Sequence, residues 1–312
     1  MSKKRNAKEL YDEISTLLTE ERNPDSLRID EMSTGEILEV INREDHKVAD
    51  SVHKELPYIE KAVELVVQSL SRGGRLFYVG AGTSGRLGVL DAAECPPTFS
   101  TPPEMVQGII AGGHKALMAS IEGAEDDSDG GAAELSKREL SSKDVVVGIA
   151  ASRRTPYVVG AIEYARETGS TTIYICCNPR AQMDLEVDVS ICPTPGPEVI
   201  TGSTRMKAGT AQKMILNMIT TASMIRTGKV YGNLMVDLQA KSQKLEERAK
   251  RIITILTGVS YDEASQYLRR SGGNLKATII MIKTGLDLSG ALERLEKAGG
   301  SVKRAILGEE TI

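Results

Sequence analysis

Residues 75–87 read Arg-Leu-Phe-Tyr-Val-Gly-Ala-Gly-Thr-Ser-Gly-Arg-Leu, and they restrict the fold more than any other stretch of the chain. An apolar run, Leu76 to Val79, passes straight into a glycine-rich loop, and the loop opens a helix. A wholly apolar strand followed at once by a helix is the first half of a parallel α/β unit. Gly80, Gly82 and Gly85 have the spacing G-x-G-x-x-G. Between them stand two hydroxyls, Thr83 and Ser84, where the helix begins. Free backbone N–H groups and the positive end of the helix dipole attract an anion at such a position. The loop therefore suits the phosphate of a phosphosugar as well as a pyrophosphate, and a tight turn with no ligand is the competing reading.

A dinucleotide site needs one residue more. An acidic side chain should end the second strand, roughly 20 residues on, to hold the ribose hydroxyl. The next strand-like run, Met105 to Ile110, ends in Ala111-Gly112-Gly113 with no carboxylate. The glycine pattern alone does not make this a nucleotide-binding chain.

From residue 75 onward, short apolar runs at 76–79, 105–110, 144–150, 171–177 and 188–192 alternate with helical stretches at 85–93, 115–121 with 131–139, and 155–167. This predicts a five-stranded parallel sheet in a three-layer α/β sandwich. Residues 1–55 read as a helical N-terminal segment, with amphipathic stretches over Glu9 to Leu18 and Thr34 to Asn42. Leu56 to Leu70 opens the α/β domain at 56–230, with Ile59, Val63, Val66, Val67 and Leu70 at helical spacing. A long helix is expected from about Ser203 to Thr227, capped by Thr201 or Ser203. Its inner face would be Met206, Thr210, Met214, Ile215, Met218, Ala222 and Ile225. Residues 231–312 read as a small helical bundle punctuated by Gly258, Gly272-Gly273 and Gly299-Gly300, with a faint resemblance to ubiquitin-associated three-helix modules.

Composition narrows the function. A formal net charge of −4 argues against a nucleic-acid partner, which favours a basic stripe. No apolar run approaches the ~18 residues of a membrane span, and Met-Ser-Lys-Lys-Arg-Asn has no apolar stretch behind it to make a signal peptide. The four cysteines, Cys95, Cys176, Cys177 and Cys192, show neither zinc nor disulfide spacing, so buried free thiols in a cytoplasmic protein are expected. With only three histidines, none at ligand spacing, a metal site is not expected.

The first loop has echoes. Val145 to Thr155 repeats strand, loop and hydroxyl with Ser152 and Thr155, and Thr201-Gly202-Ser203-Thr204 precedes the long helix. Strand ends that present hydroxyls toward one crevice are how an open α/β sheet builds a ligand site. Together these loops resemble a sugar isomerase (SIS) domain. Longer segments narrow the resemblance to the N-acetylmuramic acid 6-phosphate etherases. They are Gly80 to Phe99, Glu122-Gly-Ala-Glu-Asp126, Gly148 to Ser152 with Arg154 to Tyr157, Thr201 to Lys213, Gly232 to Asp237, and Ile41-Asn-Arg-Glu-Asp45. One position departs from the family: Arg153 stands where a glycine is usual. A positive φ there would strain Arg153, and a glycine that made room for substrate would leave substrate range in question.

The resemblance implies cleavage of the D-lactyl ether at C3 of N-acetylmuramic acid 6-phosphate, giving N-acetylglucosamine 6-phosphate and D-lactate. It carries the acid onto Glu94 and the base onto Glu125. An acid of this kind must hold its proton near neutral pH, so Glu94 is expected in a partly apolar pocket. Phosphate binding would fall to Gly82, Thr83, Ser84, Ser152, Thr155, Ser203 and Thr204, with Lys207 adding charge. Arg86 and Arg154 could equally be surface ion-pair partners. Two other readings stay open, a phosphosugar isomerase and a non-catalytic sugar-phosphate-binding regulator. A homodimer is expected, because Glu94 stands at the far end of the helix from the phosphate loop. Either the chain folds back through Cys95-Pro96-Pro97, or Glu94 serves the neighbouring subunit.

Overall fold

The computed structural model describes Lys8, residues 16–238 and residues 243–310. The chain divides into two compact units. One holds the chain up to Ala93 together with Glu104–Ile219; the other holds Glu94–Pro103 together with the chain from Thr220.

The first unit contains the sheet. Its strands are β1 (Leu76–Gly80), β2 (Val106–Ile110), β3 (Val145–Ile149), β4 (Thr171–Ile175) and β5 (Val189–Ile191), all parallel, in the order β2-β1-β3-β4-β5. They are the five apolar runs of the sequence. Helices α1 (Thr34–His53), α2 (Leu56–Ser71), α3 (Gly82–Phe99), α4 (Ser128–Lys137), α5 (Pro156–Glu167) and α6 (Lys207–Arg226) accompany them. Phe77, Val79, Val146 and Tyr174 point to the sheet face covered by Leu135 of α4 and by Val158, Ala161 and Ile162 of α5. Tyr78, of opposite parity on β1, meets α3 at Gly88, where a Cβ would lie 2.9 Å from the tyrosine's own Cβ. Helices thus cover both faces, as near-continuous apolar strands require.

Close approach of α3 to the sheet depends on missing side chains. A Cβ on Gly108 of β2 would lie 2.5 Å from Val89 Cα, and one on Gly85 would lie 2.7 Å from Gly80 O. The expected helix at 115–121 is only a 3-10 turn, Gly113–Leu117, entered through Gly112 and Gly113 at φ +82° and +66°. The helix expected over Glu9 to Leu18 falls for its greater part outside the described residues. Beyond it, three 3-10 turns (Leu18–Glu20, Pro24–Ser26, Ile29–Glu31) lead to α1, which opens with a capping box between Ser33 and Glu36.

The second unit carries a short hairpin, β6 (Val230–Tyr231) and β7 (Leu234–Met235), and helices α7 (Gln243–Thr257), α8 (Tyr261–Arg270), α9 (Leu275–Thr284), α10 (Leu288–Lys297) and α11 (Val302–Leu307). Ser260, Asn274, Asp287 and Ser301 cap the last four, which is why the helices are short and separate. Ile253, Leu268, Ile279, Ile280 and Ala291 form their shared core. Lys276 is buried there, and its Nζ donates to Gly228 O, Gly300 O and Asp237. Burial pushes its amine below the usual lysine range, against the pull of Asp237. Among the described residues no helix is long and apolar enough to cross a membrane.

The glycine contacts predict opposite outcomes for one substitution at two sites. Gly108→Ala should lower the melting temperature by several degrees, since overpacking costs about 1–3 kcal/mol. Gly35→Ala, on a helix with nothing within 4 Å of the new Cβ, should leave it unchanged or raise it. Thermal denaturation of the two variants checks this.

Candidate functional site

The sheet order reverses direction between β1 and β3, since the chain goes from β1 outward to β2 and then returns to the other side. In open α/β sheets ligands bind beyond the carboxyl ends of the strands at such a switch point. The loops that leave β1 and β3 there are Ala81 to Gly85 and Ala150 to Thr155. Gly80 pairs with Ile149 across the two strands, so the loops start side by side, about 4.8 Å apart.

The first loop is compressed by its glycines. A Cβ on Gly80 would lie 2.6 Å from Gly85 N, so the strand end and the first turn of α3 touch backbone to backbone. Gly82 opens α3 at φ +53°, a left-handed conformation, with nothing within 4 Å of where its Cβ would stand. The helix start is thereby open, with Thr83 half-buried and Ser84 buried behind it. In the second loop Ser152 Oγ lies 3.4 Å from Thr155 Oγ1, and Thr155 leads into α5. The third cluster reaches the first through α6. A Cβ on Gly209 would lie 3.4 Å from Thr83 Cγ2 and 3.5 Å from Thr204 O. Ser84 Oγ donates to Gln212 Oε1 at 2.9 Å, and Asn217 Nδ2 donates to Asp91 Oδ1 at 2.6 Å. Helices α3 and α6 therefore run side by side, closely enough that small residues of α6 face inward.

Three expectations about α6 need correction. The helix begins at Lys207, not Ser203, and neither Thr201 nor Ser203 caps it. Its first amides, Lys207 N and Ala208 N, each donate at 2.9 Å to the buried carboxylate of Glu198. Burial pushes the Glu198 carboxyl above the usual range, against the lowering effect of those amides. Ser203 and Thr204 stand, half-buried, in the turn before the helix. The inward face consists of Ala208, Ala211, Gln212, Ile215, Leu216 and Ile219. Met206, Met214 and Met218 are only half-buried, because they lie on the flanks of that face.

The Lys207 side chain is also placed differently. Its Nζ is buried and donates to Glu44 Oε2 at 2.6 Å and to Pro195 O at 2.9 Å, so its charge is taken up by Glu44 rather than offered to an anion. Asn23 Nδ2 donates to Glu44 at 2.8 Å and to Pro197 O at 2.9 Å, Lys47 donates to Glu44, and Ser26 Oγ donates to Val199 O at 2.7 Å. The N-terminal turns and α1 thus hold residues 195–199 by their carbonyls. Burial alone would raise the Glu44 carboxyl, but hydrogen bonds from Lys207, Lys47 and Asn23 hold it at about 2. The sequence carried a signal for this: Val40, Glu44 and Val48 share one helical stripe, and a carboxylate in an apolar stripe needs a buried partner.

The two glutamates differ in setting. Glu125 lies in a 3-10 turn, Ala124–Asp126, where Ala124 packs on the core and Glu125 is exposed. Glu94 lies within α3, which runs unbroken to Phe99 with Pro96 and Pro97 inside it. The chain does not fold back there. Glu94 is exposed although Cys95 beside it is buried, so a single chain does not enclose Glu94 in an apolar pocket. All four cysteines are buried, and no disulfide joins them. Arg154 pairs with Asp184, and Arg86 donates to Leu117 O and Ala119 O. Arg153 is free of left-handed strain, since Ser100 and Glu139 are the non-glycine residues with positive φ among the described residues. Its guanidinium reaches the Arg180–Gln182 turn, donating to Gln182 O at 2.6 Å.

Against known proteins, a family model described as the glucokinase regulatory protein N-terminal SIS domain matches residues 58–166, and the SIS domain model matches residues 127–222. The fold and the hydroxyl-lined switch point are those of a SIS-domain protein. The N-acetylmuramic acid 6-phosphate etherase of Salinibacter ruber is 57% identical over 272 residues, 87% of this chain and 88% of that protein. The N-acetylmuramic acid 6-phosphate etherase of Geobacillus thermodenitrificans is 55% identical over 267 residues, 86% of this chain and 90% of that one. The chain belongs to the N-acetylmuramic acid 6-phosphate etherase family.

The buried pair generates a stability prediction. The folded-state pKa of Glu44 lies below its ordinary value of 4.5, so its stabilisation is full above that value and is lost as pH falls from there toward about 2. Lys207→Met leaves a buried carboxylate short of a cation and should cost about 3–5 kcal/mol. Thermal melts from pH 7 to pH 3 should show a large deficit for this variant at neutral pH that narrows on acidification; a constant deficit would contradict the assignment.

Proposed function

We propose that this protein cleaves the D-lactyl ether of N-acetylmuramic acid 6-phosphate as a carbon–oxygen lyase, in the cytoplasm and as a homodimer, in the catabolism or recycling of cell-wall amino sugars. The observation that carries the reading is identity of 52–57% to etherases over nearly nine-tenths of the chain, both glutamate segments included. The phosphate of the open-chain sugar would sit at the start of α3, against the amides after Gly82 and the hydroxyls of Thr83, Ser84, Ser152 and Thr155, with Ser203 and Thr204 at the margin. A helix N-terminus with adjacent hydroxyls binds a phosphate without a metal.

Chemistry follows from the aldehyde. The C2 proton is acidic because it is α to the carbonyl, and Glu125 removes it. The electron pair expels the ether oxygen from C3, and Glu94 gives that oxygen its proton, so lactate leaves as an alcohol. Water then adds across the C2=C3 bond, hydroxyl to C3 and proton to C2, restoring both glutamates to their starting states. A base and an acid suffice, and no redox change occurs. An isomerase on the same fold needs no acid for a C3 ether.

Glu94 stands ten residues beyond Ser84 on one unbroken helix, about 15 Å away at 1.5 Å per residue. Carbon 3 of a hexose lies nearer its own phosphate than that. We therefore assign Glu94 to the sugar bound by a partner subunit. Its exposure in the single chain supports this reading. We also retain 1–55, 56–230 and 231–312 as the proposed domain limits.

Glu94→Gln and Glu125→Gln should each lower turnover by roughly 10²–10⁴-fold with phosphosugar binding largely kept. D-lactate release and exchange of the C2 proton with deuterium are the readouts. Exchange at the normal rate in Glu125→Gln would mean another base, and isomerisation of a hexose phosphate without lactate release would favour the isomerase. Mixing Glu94→Gln with a Ser84→Ala, Ser152→Ala double variant should regain activity after subunit exchange, because a mixed dimer holds one complete site. No recovery after verified exchange would mean that each subunit uses its own Glu94.

A further inference from the structure

Ser84 carries one hydroxyl proton, and in this structure that proton is committed. Ser84 Oγ donates to Gln212 Oε1 at 2.9 Å. The serine therefore turns lone pairs, not a donor, toward an anion at the helix start. On the other side of the same carboxamide, Gln212 Nε2 is buried with no hydrogen-bond partner among the described residues, in a side chain that is 1% exposed. A buried N–H left unmade is a standing cost, and native proteins keep few of them. Two adjacent buried groups are thus each in the wrong state for a phosphate.

Half a turn about the last side-chain bond of Gln212 releases the Ser84 proton and pairs an Nε2 hydrogen, while Oε1 moves to the side where Nε2 stood. It exchanges Oε1 and Nε2 in place, and that torsion is soft. The amide N–H then donates to a Ser84 lone pair, and the Ser84 hydroxyl proton is free for a phosphate oxygen. We propose that Gln212 is a positioning residue for the phosphate monoester: its carboxamide turns over on binding and converts Ser84 from an acceptor into a donor. The proposal rests on the reading of Gly82–Ser84 as the phosphate loop. Gln212 itself does not touch the substrate; it acts through Ser84.

The test is a double-mutant cycle with Ser84→Ala and Gln212→Met, an apolar residue of similar length, read as KM and kcat on N-acetylmuramic acid 6-phosphate. Gln212→Met should raise KM about tenfold with kcat nearly unchanged, the scale of one oriented hydrogen bond to a charged group. In the Ser84→Ala background the same change should add nothing. An equal rise in both backgrounds, or no rise in the wild-type background, overturns the relay. If Ser84→Ala leaves KM unchanged, the phosphate-loop reading falls and the relay with it; if only Gln212→Met is silent, the relay alone falls. The wild-type protein gives a second measurement that no folding defect can obscure. The ¹⁵N side-chain amide signal of Gln212, assigned by its loss in Gln212→Glu, should move on saturation with inorganic phosphate, and should not move in Ser84→Ala. An unmoved signal in the wild type overturns the proposal.

Discussion

The buried ion pair of Glu44 and Lys207 joins parts of the first unit that are far apart in sequence. It ties α1 to the first turn of α6, and through Asn23 and Pro195 it holds the N-terminal turns and the segment 195–199. A buried ion pair is a weak source of net stability, since desolvation of both charges offsets their attraction. Its value here is positional. Lys207 can occupy only one place while Glu44, Pro195 O and the Glu198 carboxylate all bind it or its backbone. That fixes where α6 begins, and so where Gly209 and Gln212 meet Thr83 and Ser84.

The loop itself is shaped by what is missing. Gly80 and Gly85 allow backbone contact between a strand end and a helix start, and Gly82 takes a conformation that a side chain would strain. The result is a helix N-terminus with its first amides open. At α6 the equivalent amides are filled by Glu198. The two helix starts therefore differ: one is open, and the other is sealed by the protein's own carboxylate.

Helix length has a similar consequence for catalysis. Pro96 and Pro97 cannot donate backbone hydrogen bonds, yet α3 continues to Phe99. Ser84, near the start of the helix, and Glu94 are ten residues apart along it, about 15 Å at 1.5 Å per residue, and the proposal of a site shared between two copies of the chain rests on that length and on the exposure of Glu94.

The sequence by itself determined the sheet. Leu76–Val79 and Val145–Ile149 are apolar throughout and their companions carry few polar residues, the pattern of parallel strands covered on both faces. It also marked the glycine-rich loop at the end of β1, because glycine spacing and hydroxyls are local properties that survive any tertiary context. The long segments around Glu94 and Glu125 placed the chain in its family. Tertiary structure decided the fate of the polar groups. Lys207, one turn past Ser203, looked free to meet a phosphate; in the fold a carboxylate more than 160 residues away takes its charge. The α6 start and its inner face were misread for the same reason: Glu198 caps from outside the helix, and which face of a helix turns inward is set by the elements packed against it. Partners distant in sequence leave no periodic trace, so ion pairs, caps from afar and the Ser84–Gln212 contact exist only once the chain has folded.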